Sequence, residues 1–169
     1  MRRELKGNCT LYKQNLYPFL RKKESKLPYN ALIGIGGNIG DVKRRFNHLF
    51  IYLQRSPFIE IIESSPILKN PPFGYLNQNY FFNSLLYIKT SLQPKELLRY
   101  VLRVEKKFGR KRLFPNAPRS LDIDIIFFEE RVINTKRLII PHPFWKERDS
   151  VQIPMDYMKS LYIKKKVNI

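Results

Sequence analysis

The sequence has little cysteine and no long apolar run. Its one cysteine, Cys9, cannot form a disulfide within the chain and has no second cysteine with which to bind a metal. No stretch reaches the roughly 18 to 20 apolar residues that cross a bilayer, and the basic N-terminus lacks the apolar segment of a secretory signal. These absences predict a soluble, cytoplasmic protein that packing stabilises.

Acidic residues are also scarce, and positive charge is in large excess. Lys and Arg total 32 against 14 Asp and Glu, which gives a formal net charge of +18. Such an excess favours a phosphorylated small molecule, a nucleic acid or an anionic membrane as partner, and charge alone does not choose among them. Because 43% of the 169 residues are apolar, disorder throughout is excluded and one domain is expected.

Both ends of the chain are more basic than its middle. Residues 1–28 carry eight Lys or Arg against two Glu, and residues 159–169 carry four Lys and no acid. We therefore expect a basic N-terminal extension over residues 1–28, packed as an appendage on the domain surface. The working domain is expected over residues 29–158, followed by a basic C-terminal tail over residues 159–169.

Hydrophobic periodicity predicts the element order β-α-β-β-α-β. Segments with strand composition lie at residues 29–35, 58–63, 80–90 and 121–128. Helical spacing begins at Asp41 and again at Pro94, and Gly109 ends the second helix. A loop is predicted over residues 64–79, and a short hairpin or an extended return over residues 131–140. This order is the ferredoxin-like split βαβ arrangement, an α+β fold.

In that fold the sheet is mostly antiparallel, and both helices pack on one of its faces. The other face and its loops are then left open. We therefore expect the functional residues to lie on the open face.

An acidic pair lies in the last predicted strand. In Leu121-Asp122-Ile123-Asp124-Ile125, alternation places both Asp side chains on one face, with Cα atoms about 7 Å apart. A polar face of an amphipathic strand is the simpler interpretation, although Asp is disfavoured in strands. Two close carboxylates repel each other unless a cation lies between them, and Mg²⁺ commonly bridges carboxylates to substrate phosphates.

Basic residues precede and follow the acidic pair. They are Arg110, Lys111, Arg112, Arg119, His142 and Arg148. A charge run such as residues 110–112 is usually only a solvated face, but its position beside the acidic strand favours phosphate binding. Guanidinium groups bind phosphate oxygens in a bidentate manner, and Mg²⁺ offsets the negative charge of the carboxylates. The combination indicates a nucleotide site.

Two further segments suggest ligand contacts. The turn over residues 34–41 is rich in glycine, but Ile39 breaks the GxGxxG pattern and no GK[ST] follows. A tight strand-to-helix turn with positive φ and with Asp41 as N-cap is therefore favoured. Phe81 and Asn83 share a strand face and could hold a flat heterocycle, although core packing explains Phe81 alone equally well.

Six motifs, in this order, resemble the 6-hydroxymethyl-7,8-dihydropterin pyrophosphokinase family. They are IGGNIGD, SSPILKNPPFG, FFN, EKKFGRKR, APRSLDIDI and IPHPFWKER. The resemblance runs from Tyr29 to Met158. It implies an ATP-dependent pyrophosphoryl transferase of folate biosynthesis, in which the pterin hydroxymethyl oxygen attacks the β-phosphorus of ATP in line and AMP is released. It also implies that Asp122 and Asp124 bind two Mg²⁺ ions.

The same resemblance implies roles for individual residues. ATP would be bound by Arg110, Arg112, Arg119, His142 and Arg148. Catalysis would involve Arg110, Arg119, Asp122 and Asp124. The pterin would contact Pro71, Pro72, Phe73, Phe81 and Asn83, and residues 113–118 would close over it.

The chain departs from the family pattern at two places. The loop has Pro115, Asn116 and Ala117 where the family commonly has Arg, Trp and Gly, which affects its closure. Ser150 stands where the family usually has the second aromatic residue that stacks on the pterin. We hypothesise that Trp145 or Phe144 takes over part of that contact.

Two other functions are open at this point. A basic, ferredoxin-like RNA-binding module would explain the charge, but the K/R-G-F/Y-G/A-F-V-x-F/Y signature is absent and RNA binding needs no acidic pair. A docking domain would explain the basic ends and leave the Asp, Arg and His residues without a purpose. The expected partners are therefore ATP and the pterin, with no nucleic acid and no membrane, and the chain is expected to be a monomer.

Overall fold

The structure is a computed structural model that describes residues 1–167. The last two residues of the expected C-terminal tail lie outside the described residues. The strands are β1 (Arg2–Glu4), β2 (Thr10–Tyr12), β3 (Phe19–Leu20), β4 (Tyr29–Gly37), β5 (Ile59–Ser64), β6 (Ile67–Asn70), β7 (Phe81–Thr90), β8 (Asp122–Phe128), β9 (Ile133–Asn134) and β10 (Ile139–Ile140). The helices are α1 (Val42–Gln54), α2 (Pro94–Lys107), α3 (Asp149–Asp156) and α4 (Leu161–Val167).

The centre of the sheet confirms the predicted α+β fold. Strands β5, β7, β4 and β8 lie side by side in that order, and each neighbouring pair is antiparallel. Strands β4 and β5 are joined through α1, and β7 lies between them, which is the split βαβ arrangement. The short hairpin expected over residues 131–140 is also present, since β9 pairs with β10.

Helices α1 and α2 pack on one face of the sheet, as predicted. The Asp41 side chain caps α1 by accepting a hydrogen bond from the Arg44 amide at 3.0 Å. Helix α2 begins at Pro94, and the Glu96 side chain accepts from the Gln93 amide at 2.7 Å. The apolar faces of both helices join the main core with the inward residues of β4, β7 and β8.

The opposite face is only partly open. Helices α3 and α4, which the sequence did not predict, cover one part of it through Val151, Met155 and Ile163. These side chains pack against residues of the central strands that point away from the main core, namely Leu32, Leu85, Tyr87, Ile126 and Phe127. The open area is therefore confined to the end of the sheet where α3 begins.

The N-terminal segment contributes to the sheet and to the core. Strands β1 and β2 form a hairpin that pairs with β6, and β3 pairs with β5. Tyr17 is fully buried, and its hydroxyl donates to the Phe46 carbonyl at 2.9 Å. The prediction of a loop throughout residues 64–79 is wrong at β6, because β2 and β7 supply its hydrogen-bonding partners.

Within residues 1–167, no helix combines the length and the apolar character that spanning a membrane requires.

Candidate active site

The acidic pair faces a strip of glycines at the open end of the sheet. Asp122 of β8 lies opposite Gly36 of β4, and Asp124 lies opposite Gly34. A Cβ atom on Gly36 would come within 2.5 Å of the Asn83 Oδ1 atom. Because these glycines carry no side chains, the floor between Asn83 and the two carboxylates is left free for a ligand.

The residues predicted to bind phosphates converge on the acidic pair. The Arg110 Nη1 atom contacts Asp122 Oδ1, and the Arg119 Nε atom lies 3.2 Å from Asp122 Oδ2. On the neighbouring carboxylate, Asp124 Oδ2 lies 3.7 Å from Arg148 Nη1 and 3.9 Å from His142 Nε2. Segments far apart in the sequence thus supply cations and one imidazole to a single site.

The electrostatics of the pair follow from burial and from mutual repulsion. Withdrawal from water, and after it the negative charge of Asp122, raises the pKa of Asp124 well above its usual range. The Arg148 guanidinium opposes that rise. A divalent cation between the carboxylates would favour the ionised form of both.

Its surroundings favour the neutral form of His142, which the sequence pattern grouped with the basic residues. Burial, and after it the charge of Arg148, lowers the pKa of His142 to about 4. The Phe144 amide donates to His142 Nδ1 at 3.3 Å, which leaves the proton on Nε2. His142 therefore presents a neutral N–H donor to the site.

Three arginines of the cluster have unused donors. The Nε atoms of Arg110, Arg119 and Arg148 are buried and make no hydrogen bond within the described residues, although Arg119 Nε lies at ion-pair distance from Asp122. Buried donors of this kind are normally paired. Their location around the acidic pair fits an anionic ligand with several oxygen atoms, such as a polyphosphate.

Glu105 is a member of the cluster that the sequence analysis missed. It is almost fully buried in α2 and accepts a hydrogen bond from the Ile123 amide at 2.8 Å. The same carboxylate lies 3.7 Å from Arg110 Nη1 and 3.3 Å from Arg112 Nη2. Its spacing from Arg110 and Arg112 in EKKFGRKR was the available signal.

A cavity of about 250 Å³ adjoins the acidic pair. The pterin-binding residues implied by the resemblance line it together with both carboxylates; they are Pro71, Pro72, Phe73, Phe81 and Asn83. The Arg119 guanidinium lies over the Phe81 ring at 4.9 Å, and the Arg148 guanidinium lies 5.8 Å from the Phe73 ring. The cavity therefore combines flat apolar surfaces with an amide group.

A larger groove of about 1010 Å³ lies on the other side of the carboxylates. Its lining includes the apolar residues Leu98 and Leu102 of α2 and the basic cluster. The cavity and the groove share five lining residues, which are Asn116, Arg119, Asp122, Asp124 and Arg148. The acidic pair thus lies where two ligand-sized spaces meet.

The structure does not bring Trp145 to the cavity. The Trp145 ring packs edge-on against Phe127 at 4.9 Å and joins the second apolar cluster. Phe144 is exposed and is not a lining residue either, whereas Ser150 is. Trp145 is therefore corrected from a ligand contact to a packing residue, because Phe127 on the same sheet face provides it with an apolar partner.

Asn38, in the glycine-rich turn, connects the two loops that border the site. Its side-chain amide donates to Gln78 Oε1 at 2.9 Å, and its Oδ1 atom accepts from the Arg119 amide at 2.9 Å. Gln78 in turn donates to the Asn116 carbonyl at 3.0 Å. Asn38 is almost fully buried. The turn therefore also fixes the positions of the two loops relative to each other.

The carboxylates fit a magnesium site in which the substrate supplies some of the metal ligands. Among the described residues no group of three or more His, Cys, Asp or Glu side chains could hold a metal. Mg²⁺ is usually bound by one or two carboxylates together with waters and substrate phosphates. The donor set of two carboxylates is therefore sufficient when a polyphosphate supplies the remaining oxygens.

Comparisons with known proteins identify the family of the chain. Residues 32–160 match the family model of 7,8-dihydro-6-hydroxymethylpterin-pyrophosphokinase. The chain is 39% identical over 150 residues to a 2-amino-4-hydroxy-6-hydroxymethyldihydropteridine pyrophosphokinase of Helicobacter pylori, covering 88% of this chain and 92% of that protein. A protein of the same description from Campylobacter jejuni is 40% identical, covering 90% of this chain and 97% of that protein. Another, from Bacillus subtilis, is 37% identical and covers 74% of this chain and 75% of that protein.

Proposed function

The chain belongs to the 7,8-dihydro-6-hydroxymethylpterin-pyrophosphokinase family, and we propose that Asp122 and Asp124 are the centre of its active site. The enzyme uses ATP as co-substrate and transfers pyrophosphate to 6-hydroxymethyl-7,8-dihydropterin in folate biosynthesis. The alternative of an RNA-binding module has no support in the comparisons. One observation carries the assignment of the site: the acidic pair lies between an aromatic cavity and a basic groove.

ATP is proposed to occupy the basic groove. The Nε donors of Arg110, Arg119 and Arg148 are buried beside the acidic pair and make no hydrogen bond within the described residues, which suits the oxygens of a triphosphate. Arg112 is held by Glu105 at 3.3 Å, and neutral His142 offers a further N–H donor. Leu98 and Leu102 provide an apolar surface in the same groove for the adenine ring.

The pterin is proposed to occupy the smaller cavity. The Asn83 carboxamide can both donate and accept hydrogen bonds at the edge of the ring, and it is oriented by its bond to Asn70 Oδ1 at 2.7 Å. The Phe81 ring forms one flat wall, and the backbone of residues 71–73 forms another. This placement directs the hydroxymethyl group towards the acidic pair.

Catalysis then depends on positioning and on charge. The hydroxymethyl oxygen attacks the β-phosphorus in line, and the bond from that phosphorus to the AMP oxygen breaks. Arg119, which lies between the Phe81 ring and Asp122, stabilises the negative charge that develops on the transferred group. Asp122 and Asp124 would hold two Mg²⁺ ions, which when bound offset the charge of the triphosphate and polarise the phosphoryl group.

The proposal is tested by AMP release from ATP and the reduced pterin. We expect Asp122→Asn and Asp124→Asn each to lower kcat by at least about 100-fold, since each removes a charged oxygen ligand. Asp156→Asn, at an exposed position near the end of α3, is the matched control and should behave as the wild type. Turnover at the wild-type rate in both active-site variants would exclude the assignment.

The number of metal ions is tested separately by titration. Mn²⁺ in place of Mg²⁺, added with a nucleotide that carries a methylene group between the α- and β-phosphorus, should bind at two sites in the wild type. Loss of binding in the Asp122→Asn and Asp124→Asn variants would support the two carboxylates as ligands. Unchanged stoichiometry and affinity in both variants would contradict it.

We also propose that the enzyme acts as a monomer in the cytoplasm, where ATP is available. Sedimentation equilibrium with substrates present tests it, and a stable dimer would contradict it.

A further inference from the structure

The β1–β2 hairpin reaches the cavity assigned to the pterin. Gly7, at the turn of this hairpin, is one of the lining residues, together with Asn70, Asn83 and Ser150. The family match begins at residue 32, so the hairpin lies outside the part of the chain that the match describes. Its contribution to the cavity therefore has to be assessed from the contacts of the hairpin itself.

The turn has a defined conformation. Gly7 and Asn8 have positive φ angles of 72° and 60°, and the Leu5 amide donates to the Cys9 carbonyl at 2.8 Å. The Cys9 thiol donates to the Gly7 carbonyl at 3.6 Å. A Cβ atom on Gly7 would meet no heavy atom within 4 Å, so a side chain can be added at this wall without displacing other protein atoms.

The hairpin also supports a second wall of the cavity. Leu11 of β2 lies opposite Leu68 of β6, and β6 ends at Asn70, which continues into Pro71 and Pro72 at the cavity wall. Asn70 accepts the hydrogen bond that orients Asn83. The register between β2 and β6 therefore determines where this wall lies.

A third wall depends on the same hairpin. Leu5, Cys9 and Leu11 pack in one apolar cluster with Ile153 and Tyr157 of α3. The first turn of α3 contributes Ser150 and other residues to the cavity. The hairpin thus contacts both β6 and α3, and a shift of the hairpin would move the cavity walls that these two elements form.

We propose that the β1–β2 hairpin is a pterin-binding element, in which Gly7 forms part of the cavity wall and the hairpin positions β6 and α3 around the substrate. This inference rests on the proposed function. The pterin is an uncharged, flat ring, so its affinity depends on closely fitting walls, whereas ATP is held by the cationic groove on the other side. The hairpin accordingly sets the affinity for the pterin and not that for ATP.

The test adds a side chain at Gly7, in the cavity wall, in the full-length enzyme. Gly7→Asn is the variant, because Asn tolerates a positive φ angle better than most residues. We expect the KM for the pterin to rise roughly tenfold, with kcat and the KM for ATP within about twofold of the wild type, because crowding in a fitted pocket weakens binding. Lys6→Asn places the same side chain one position away, at a residue that does not line the cavity, and should leave both KM values unchanged.

Three outcomes of this experiment count against the inference. A pterin KM within twofold of the wild-type value overturns it, and so does an equal rise in both KM values, which indicates a general structural effect. Failure of the wild-type enzyme to release AMP with the pterin overturns the proposed function, and the inference with it.

Hydrogen exchange in the wild-type enzyme provides a second readout that needs no variant. The pterin, added with the methylene-bridged nucleotide, should slow exchange of the amides in residues 5–12 beyond the effect of the nucleotide alone. Unchanged exchange in these residues overturns the inference even if Gly7→Asn fails to fold.

Discussion

At the scale of single residues, the two carboxylates of the pair have different neighbours. Asp122 contacts Arg110 and Arg119 directly, whereas Asp124 faces Arg148 and the neutral imidazole of His142 at 3.7 and 3.9 Å. Arg119 also lies over the Phe81 ring. It therefore touches both the acidic pair and the wall of the cavity assigned to the pterin, and of the two cations that do so it is the one nearer to its carboxylate and to its ring.

Replacement of Arg119 should affect turnover more than binding. We expect Arg119→Ala to lower kcat by about 100- to 1,000-fold, because a donor aimed at developing charge contributes mainly in the transition state. The KM for ATP should change less, since Arg110 and Arg148 remain. Initial rates of AMP release give both values.

Arg99→Ala removes an exposed arginine of α2 and is the matched control for this experiment. It should leave kcat unchanged. A kcat in Arg119→Ala within threefold of the wild-type value would show that Arg119 has no special role in the transition state.

Two glycines at and after the end of β4, Gly37 and Gly40, are needed for different reasons. The glycine-rich segment predicts a turn with positive φ, and that conformation occurs at Gly40. Gly37 instead continues the strand, and a Cβ atom there would come within 2.5 Å of the Ser120 carbonyl oxygen. Strand β4 therefore extends further than predicted, because close approach of two backbones requires a residue without a side chain.

At the scale of secondary-structure elements, the N-terminal segment is joined to the core by Tyr17. Its ring contacts Phe46 and Phe50 of α1 at centroid distances of 5.9 and 6.0 Å. Burial raises the pKa of the Tyr17 hydroxyl, which donates to a carbonyl of the same helix. The segment preceding β4 thus seals one edge of the main core.

Truncation of Tyr17 tests whether this segment is part of the folding unit. We expect Tyr17→Ala to lower the free energy of unfolding by about 3 to 5 kcal/mol, the usual cost of removing a buried aromatic ring. Tyr17→Phe should cost only about 1 kcal/mol, because it removes one hydrogen bond. Urea unfolding measures both values.

Leu20→Ala, in the exposed half of β3, serves as control and should change the free energy of unfolding by less than about 0.5 kcal/mol. A loss in Tyr17→Ala no larger than that in Leu20→Ala would mean that the segment is an appendage.

At the scale of the whole molecule, the charge excess favours anionic ligands. A net charge of +18 attracts ATP from a distance, and salt screens this attraction with a Debye length of about 8 Å at physiological ionic strength. The pterin is uncharged and is not attracted in this way. The two substrates should therefore respond differently to salt.

We expect the KM for ATP to rise severalfold between about 50 and 300 mM KCl, because screening weakens the attraction. The KM for the pterin should stay within about twofold over the same range, and it is the internal control. Steady-state rates at saturating Mg²⁺ measure both. Equal salt dependence of the two values would indicate that the basic surface does not act on the nucleotide.

The sequence determined the elements that carry strong local patterns. Strands β4, β5, β7 and β8 and helices α1 and α2 follow from periodicity, capping residues and breakers, and their predicted bounds lie close to the observed ones. The alternation in Leu121–Ile125 placed both carboxylates on one face without reference to any partner. The family itself followed from ordered motifs.

The tertiary structure decided what depends on contacts between distant segments. Strand β6 exists because β2 and β7 pair with it, and α3, with Pro154 inside it, is held by packing on the sheet. Trp145 packs on Phe127 instead of lining the cavity, and burial beside Arg148 keeps His142 neutral. These features depend on burial and on neighbours far away in the chain, so a local pattern of residues does not encode them.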